Sequence, residues 1–168
     1  TEIKGGFMKI SALNEGVSLI ANIGVIASIV FLGLEMQQNT AMMQSQTRNS
    51  IVENQLTFYE RIIDNYAFAR IESEYRSDSD PDSDPYPTES PERYQFALYV
   101  ASQLRMWENE FYQYQIGLFD SDEFEARTNL WANQISIPAK LATWRGQERS
   151  FAPDFRSYLN GMISEMSL

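Results

Sequence analysis

A long apolar stretch without charges is the first feature of the hydrophobic pattern. No residue between Glu15 and Glu35 is charged, and as a helix this stretch extends about 28 Å, close to the ~30 Å hydrocarbon core of a bilayer. The pattern predicts a transmembrane helix over residues 16–35, after a short leader over residues 1–15. A buried helix of a soluble domain and a helix in the membrane interface remain alternatives. A signal peptide is disfavoured, because the apolar region is long and no small-residue cleavage site follows it.

The predicted span has a bulky face and a small, weakly polar face. The bulky half carries Leu19, Ile20, Ile23, Ile26, Ala27, Val30, Phe31 and Leu34, and the other half carries Ser18, Ala21, Asn22, Gly24, Ser28 and Gly33. Small residues let two helices approach closely in a membrane, and an amide side chain can hydrogen-bond across their contact. We therefore expect lipid on the bulky face and another helix on the small face. The candidate packing residues are Asn22, Gly24, Ser28 and Gly33.

The helix is expected to continue beyond the span as an extension over residues 36–76. Its first part is rich in Gln, Asn, Ser and Thr and contains no Pro or Gly that would stop a helix. Further along, apolar residues recur at alternating spacings of four and three, which predicts a helix that buries one stripe. The members of this stripe are Val52, Leu56, Tyr59, Ile63 and Tyr66. The helix is predicted to end near Arg76.

An acidic segment rich in Pro and Asp, over residues 77–90, predicts a surface loop. Its carboxylates also have the spacing of a calcium-binding loop, with ligands at Asp78, Asp80, Asp82, Asp84 and Glu89. Against calcium, Ser83 stands where such a loop needs Gly, and Pro85 stiffens the segment. We therefore favour a solvated acidic linker over a metal site.

The rest of the chain, residues 91–168, predicts a bundle of helices. Ser90 is the expected N-cap of the first, with Pro91 at its first position, and Gly117 is expected to end it. The segment DSDE, residues 120–123, predicts a capping box for the next helix, and Pro138 and the segment APDFRSYLNGMI open two more. The residues predicted to face inward are Val100, Leu104, Trp107, Phe111, Tyr114, Phe124, Leu130, Trp131, Leu141, Trp144, Phe155, Leu159, Met162 and Ile163. No strand pattern competes, so the fold class is all-α, with an N-terminal transmembrane helix that continues into a long helix and packs in a small helical bundle.

Composition excludes several classes of function. With 168 residues the chain can form one ordinary domain, and 23 acidic against 13 basic residues give a net charge of −10, which opposes binding to nucleic acid. The chain has no cysteine and no histidine. It therefore lacks the commonest general base and the commonest ligands for zinc, and no nucleotide-binding or nucleophile motif is present. We expect no enzyme activity, no cofactor and no metal.

One helix combines aromatic and acidic residues, and its candidate site residues are Trp107, Glu108 and Tyr112. A carboxyl group beside an apolar stripe can have a raised pKa and so take part in binding or catalysis. The stronger alternative is structural: Glu108 pairs with an Arg of a neighbouring helix, and the aromatic residues form core.

The distribution of basic residues predicts the orientation in the membrane. Lys4 and Lys9 precede the span, and the next basic residue is Arg48. By the positive-inside rule the leader lies in the cytoplasm and the helical domain outside it. We therefore expect a protein of the bacterial inner membrane with a periplasmic domain.

Three stretches, FLGLEMQQNTA, ENEFYQYQIGLFD and FAPDFRSYLNGMI, resemble a family of small uncharacterised bacterial proteins, many of them marine. In that family a hydrophobic helix ends in a Gln-x-Arg-Gln-Asn-Thr-like motif and precedes a helical domain. The resemblance covers most of the chain outside the acidic loop and implies membrane attachment and architecture rather than an activity. The chain departs from the family at Gln37, where the motif usually has Arg.

These features together predict a single-pass membrane protein whose helical domain is an interaction or assembly module. Its expected partners are membrane lipid and either a second copy of itself or another membrane protein. The alternative is a membrane-anchored sensor domain that binds calcium or another ligand through the acidic loop or the aromatic helix.

Overall fold

The computed structural model describes residues 3–77 and 84–166, and it describes side chains from residue 13 onward. These ranges contain α-helices and one short 3₁₀ helix but no strand, so the all-α prediction is confirmed. The elements are α1 (Ile3–Ile63), α2 (Tyr66–Ser77), α3 (Pro91–Gln115), α4 (Ser121–Ile135), α5 (Pro138–Gln147), the 3₁₀ helix (Glu148–Ser150) and α6 (Pro153–Glu165). The chain divides into two compact units, residues 1–43 and residues 44–168.

The amino-terminal unit is the first part of α1, and its apolar side chains are exposed. From Leu13 to Leu34 every large aliphatic or aromatic side chain is between 53 % and 72 % exposed. Among the described residues α1 is the one helix that is long and apolar enough to cross a membrane, and its most apolar segment is not buried. The helix therefore has the properties of a candidate membrane span, and its exposure differs from that of a core helix in a soluble domain.

The carboxyl-terminal unit is a helical bundle arranged around α3. Helices α2, α4, α5 and α6 all pack on α3. The core is aromatic: the rings of Trp107 and Trp131 stack with their centroids 4.8 Å apart, and Phe155 meets Trp107 edge-on at 5.7 Å. Most of the predicted inward residues of α3 to α6 are buried, including Trp107, Trp144 and Leu159. Three are not: Met162 is half-buried, and Tyr114 and Leu130 lie at the edge of the bundle and are exposed.

The predicted helix ends of the bundle are confirmed. The hydroxyl of Ser90 accepts a hydrogen bond from the backbone N–H of Arg93 at 3.2 Å. The carboxylate of Asp120 accepts from the N–H groups of Asp122 and Glu123, at 2.9 and 3.1 Å, and so caps α4. Gly117 has φ +75°, the left-handed conformation that follows a helix end and favours glycine.

The stripe predicted to be buried after residue 52 is a wrong prediction. Val52, Leu56, Tyr59 and Ile63 are exposed, and so is Tyr66 at the start of α2. The row of α1 that faces the bundle lies one position earlier and consists of Ile51, Gln55, Phe58 and Ile62. That row contains a polar residue whose partner, Glu110, lies far away in the sequence. The apolar spacing alone therefore favoured the wrong face.

The extension is also not one continuous helix to Arg76. Helix α1 ends at Ile63, and α2 runs from Tyr66 to Ser77. At the break the side chain of Asn65 accepts a hydrogen bond from the N–H of Phe68 at 3.1 Å. Asparagine is a preferred N-cap, and this bond satisfies a donor that the start of a helix leaves free. The predicted end near Arg76 agrees with the end of α2, but the break before it was not predicted.

Candidate functional site

The small face of the predicted span is open in this chain. Asn22, Gly24, Ser28 and Gly33 all lie on α1 and are exposed. A Cβ atom added at Gly24 or Gly33 would meet no atom within 4 Å. The hydroxyl of Ser28 donates to the carbonyl oxygen of Gly24 at 2.7 Å, so it is already satisfied within the helix and suits an apolar surrounding. The face therefore has the small side chains and the space that a packing helix requires.

The three candidates on the aromatic helix do not form one site. Trp107 is fully buried in the core, whereas Tyr112 is exposed. Glu108 pairs with Arg105 at 2.6 Å, and it accepts a hydrogen bond from the N–H of Ala152 at 2.7 Å. The sequence predicts a partner arginine on a neighbouring helix, but the partner, Arg105, belongs to α3 itself. Glu108 therefore has a structural role, because it ties α3 to the start of α6.

A buried carboxylate that the sequence reasoning missed, Glu110, lies at the centre of the bundle. Glu110 is 2 % exposed. It accepts two hydrogen bonds from Arg127, at 3.1 and 3.0 Å, one from the indole N–H of Trp131 at 3.1 Å and one from Gln55 at 2.9 Å. A buried charge is tolerated when it is paired and hydrogen-bonded. Glu110 thereby connects α1, α3 and α4. Its signal in the sequence was its position one turn after Trp107, inside the buried stripe of α3.

A second polar cluster joins α2 to α5 through Lys140, which is also 2 % exposed. Its ammonium group donates to Gln134 at 2.6 Å and to Glu72 at 3.2 Å, and it lies 5.1 Å from the centre of the Tyr99 ring. Burial lowers the pKa of Lys140 to about 8, although the charge of Glu72 opposes this shift. Burial alone would raise the pKa of Glu72, but its bonds and charge contacts with Arg76 and Lys140 outweigh that effect and lower it.

A cleft of about 190 Å³ opens between α1, α2, α3 and α4, beside these two clusters. Its apolar lining includes Phe58, Ile62 and Trp131, and its polar lining includes Glu72, Arg76 and Gln103. Gln103 is buried and donates to the hydroxyl of Tyr99 at 3.0 Å. The volume is below the ~300–1,000 Å³ of most ligand pockets and is close to the ~150 Å³ of a cavity that holds one benzene ring. Only a very small ligand would fit. The charged side chains are also already engaged in ion pairs, for example Arg76 with Glu72 at 2.8 Å.

The proposed calcium ligands Asp78, Asp80 and Asp82 lie outside the described residues. The fourth, Asp84, accepts a hydrogen bond from the hydroxyl of Tyr75 at 2.8 Å and pairs with Arg93 at 3.0 Å. Within residues 3–77 and 84–166, no group of three or more acidic side chains is placed to hold a metal ion. Asp84 therefore serves as a structural link between the loop and the bundle.

Comparison of this chain with protein-family models, with curated proteins and with solved structures finds no match.

Proposed function

We propose that this chain is a single-pass membrane protein whose helical domain is an interaction or assembly module. The observation that carries the proposal is the amino-terminal part of α1, whose large apolar side chains are more than half exposed from Leu13 to Leu34. Such a continuous apolar surface is unfavourable in water and requires lipid or protein around it. A stretch of this length matches the hydrocarbon core of a bilayer.

The small face of the span supports assembly rather than anchoring alone. In lipid, apolar burial does not drive two helices together, so association depends on close packing and on hydrogen bonds. Gly24 and Gly33 leave room for a neighbouring backbone, and the amide of Asn22 can bond across the contact. The neighbour is either a second copy of the chain or another membrane protein, to which this chain would be an accessory subunit.

The proposed location is the bacterial inner membrane, with the leader in the cytoplasm and the domain in the periplasm. Lys4 and Lys9 before the span, and the absence of basic residues between them and Arg48, support this orientation. The proposal includes no catalytic activity. The buried Glu110 pairs with the half-buried Arg127, and the buried Lys140 pairs with Glu72, so these groups hold helices together.

The proposal is tested on particles extracted from native membranes with a mild detergent. Light scattering gives their mass, and mass spectrometry identifies the chains that co-purify. We expect a discrete particle larger than one chain, and we expect Gly24→Leu and Ser28→Leu to reduce its mass because they fill the small face. Ala27→Leu is the matched control, since it adds the same bulk on the other face. A chain absent from the membrane fraction, or a monomer in all variants, would contradict the proposal.

A second candidate function is that of a ligand-binding sensor domain, and the cleft favours it. The test adds benzoate and free amino acids to the full chain in detergent and detects their binding by changes in the NMR chemical shifts of the protein. Leu130→Trp places bulk at the edge of the cleft, whereas Leu98→Trp adds it at an exposed site elsewhere. Shifts that Leu130→Trp alone abolishes would support this function. Calcium binding by the loop stays a separate prediction, tested by titration against Asp80→Asn and Asp82→Asn.

A further inference from the structure

An exposed apolar stripe on the last part of α1 is the surface that the bundle leaves uncovered. We define the α1 stripe as Val52, Leu56, Tyr59 and Ile63, which are 45 %, 56 %, 42 % and 78 % exposed. The adjacent row, one position earlier, packs on the bundle. The stripe therefore lies along the flank of a helix that its own domain already holds in place. Four large apolar side chains in one line form a patch of the kind that marks an interaction surface.

We propose that a second copy of this chain covers the α1 stripe, so that two α1 helices pair in parallel as a short coiled coil. The inference rests on the proposed function, whose partner it names. The stripe has spacings of four, three and four residues, which is the repeat that keeps one seam of a helix against a coiled-coil partner. Two copies anchored in one membrane enter it in the same direction, so the pair is parallel.

One polar residue on the seam indicates that the partner is an identical copy. Extending the repeat backward by three residues from Val52 reaches Asn49, which is exposed. In this register Asn49, Leu56 and Ile63 occupy the first core position of each heptad. A single asparagine at that position fixes register and favours a defined oligomer, because it can bond to its equivalent on the partner. An unrelated apolar helix would leave this amide without a partner.

The charges that flank the stripe are complementary between two parallel copies. Arg48 and Gln55 lie along one edge of the seam, and Glu53 and Glu60 lie along the other. In a parallel pair, each residue of the first edge meets the partner's residue five positions further on. Arg48 then faces Glu53, whereas Gln55 stays hydrogen-bonded to Glu110 of its own chain, so no like charges are brought together. Arg48 also pairs with Glu123 in its own chain, but its side chain remains 65 % exposed and accessible to a second carboxylate.

The size of the stripe indicates that the membrane takes part in the pairing. A large aromatic side chain buries about 150–250 Å² and an aliphatic one less, and the four side chains are only partly exposed, so they offer roughly 400 Å² per copy. The pair would bury roughly 800 Å², below the ~1,200 Å² of a stable interface between free proteins. Two chains confined to one bilayer meet at a much higher effective concentration and need less area. The stripe is therefore expected to pair anchored chains.

The test is disulfide crosslinking of the full chain in native membranes. The chain contains no cysteine, so a single introduced cysteine reports only on itself. Leu56→Cys and Tyr59→Cys lie on the seam. Asn54→Cys and Arg61→Cys are exposed controls on another face of the same helix. After mild oxidation we expect a disulfide-linked dimer several-fold more abundant for the two seam variants than for the two controls.

A second pair of variants separates the seam from chance collisions. Leu56→Glu, added to Tyr59→Cys, is expected to reduce the crosslinked fraction to the level of the controls, whereas Thr57→Glu is expected to leave it unchanged. Equal crosslinking at all four positions, or none at the seam, would overturn the inference. If that happens while the detergent particle still contains foreign subunits, the proposed function stands and only the identity of the partner is wrong. A chain absent from the membrane fraction would overturn both.

Discussion

Replacing Glu110 by glutamine is the perturbation with the largest expected effect on the bundle. The substitution keeps the shape of the side chain but removes its charge, and it puts an NH₂ group where an oxygen now accepts hydrogen bonds. Four donated bonds, from Arg127, Trp131 and Gln55, converge on the two carboxylate oxygens. The amide oxygen of glutamine can accept some of these four hydrogen bonds. The new NH₂ group faces the remaining donors and cannot accept from them. Arg127, whose side chain is only 16 % exposed, is then left without a counter-charge.

The magnitude follows from the burial of the pair. Breaking a buried ion pair by removing one partner typically costs about 3–5 kcal/mol, because the remaining charge is uncompensated. Replacing both partners by apolar residues of similar volume is often close to neutral. Glu110→Gln is therefore expected to lower the free energy of unfolding by about 3–5 kcal/mol. The double variant Glu110→Met with Arg127→Met is expected to restore only part of it, because the indole N–H of Trp131 and the amide of Gln55 still lose their acceptor.

The assay is urea unfolding of the full chain in detergent, followed by tryptophan fluorescence. The stacked Trp107 and Trp131 adjoin the pair and report on its packing. Glu125→Gln is the control, since it removes a carboxylate from an exposed position on α4 and is expected to change stability by less than about 0.5 kcal/mol. A Glu110→Gln variant within about 1 kcal/mol of the native chain would refute the reasoning. It would mean that the carboxylate is not a structural centre of the bundle.

Three further predictions concern the same unit. Burial lowers the pKa of Lys140 to about 8, so above that pH the folded state binds fewer protons than the unfolded state. Stability measured by urea titration should therefore rise from pH 8 to 9.5. The variant Lys140→Met should remove this rise. Gly117→Ala should lower stability by about 1 kcal/mol in urea unfolding because of the positive φ. Gly146→Ala, in helix α5 with open space around its Cβ position, should raise stability slightly in the same assay. Asn65→Ala should cost about 1 kcal/mol by removing the cap of α2, and Asn65→Asp, which keeps a capping oxygen, should cost less.

Features that depend on neighbouring residues could be predicted from the sequence. Ser90 with Pro91 starts α3, Asp120 caps α4, and Gly117 takes the left-handed conformation that follows α3. Each of these roles involves hydrogen bonds or backbone angles within four residues, so the local sequence contains all the information required. The N-cap at Asn65 is also a local feature. It was not predicted because the apolar spacing continues across it and indicates one uninterrupted helix.

Features that depend on distant partners could not be predicted in the same way. Gln55 belongs to the buried row of α1 because Glu110 receives its hydrogen bond, and the two are 55 positions apart in the chain. Lys140 is buried because Glu72, 68 positions away, and Gln134 accept its hydrogen bonds. The sequence alone predicts that a polar residue is exposed, unless the residue that will hydrogen-bond to it is known.

The wrong prediction for the buried face of α1 and the exposure of the α1 stripe have the same physical cause. In this part of the helix two rows of large apolar residues run side by side, one position apart. The row that contains Gln55 packs on the bundle, because Glu110 supplies the hydrogen bond that its amide needs. The more apolar row, the α1 stripe, is left exposed. An apolar repeat in the sequence therefore predicts that a surface is buried without stating which chain buries it. Disulfide crosslinking of Leu56→Cys distinguishes a second copy of this chain from any other partner that covers the α1 stripe.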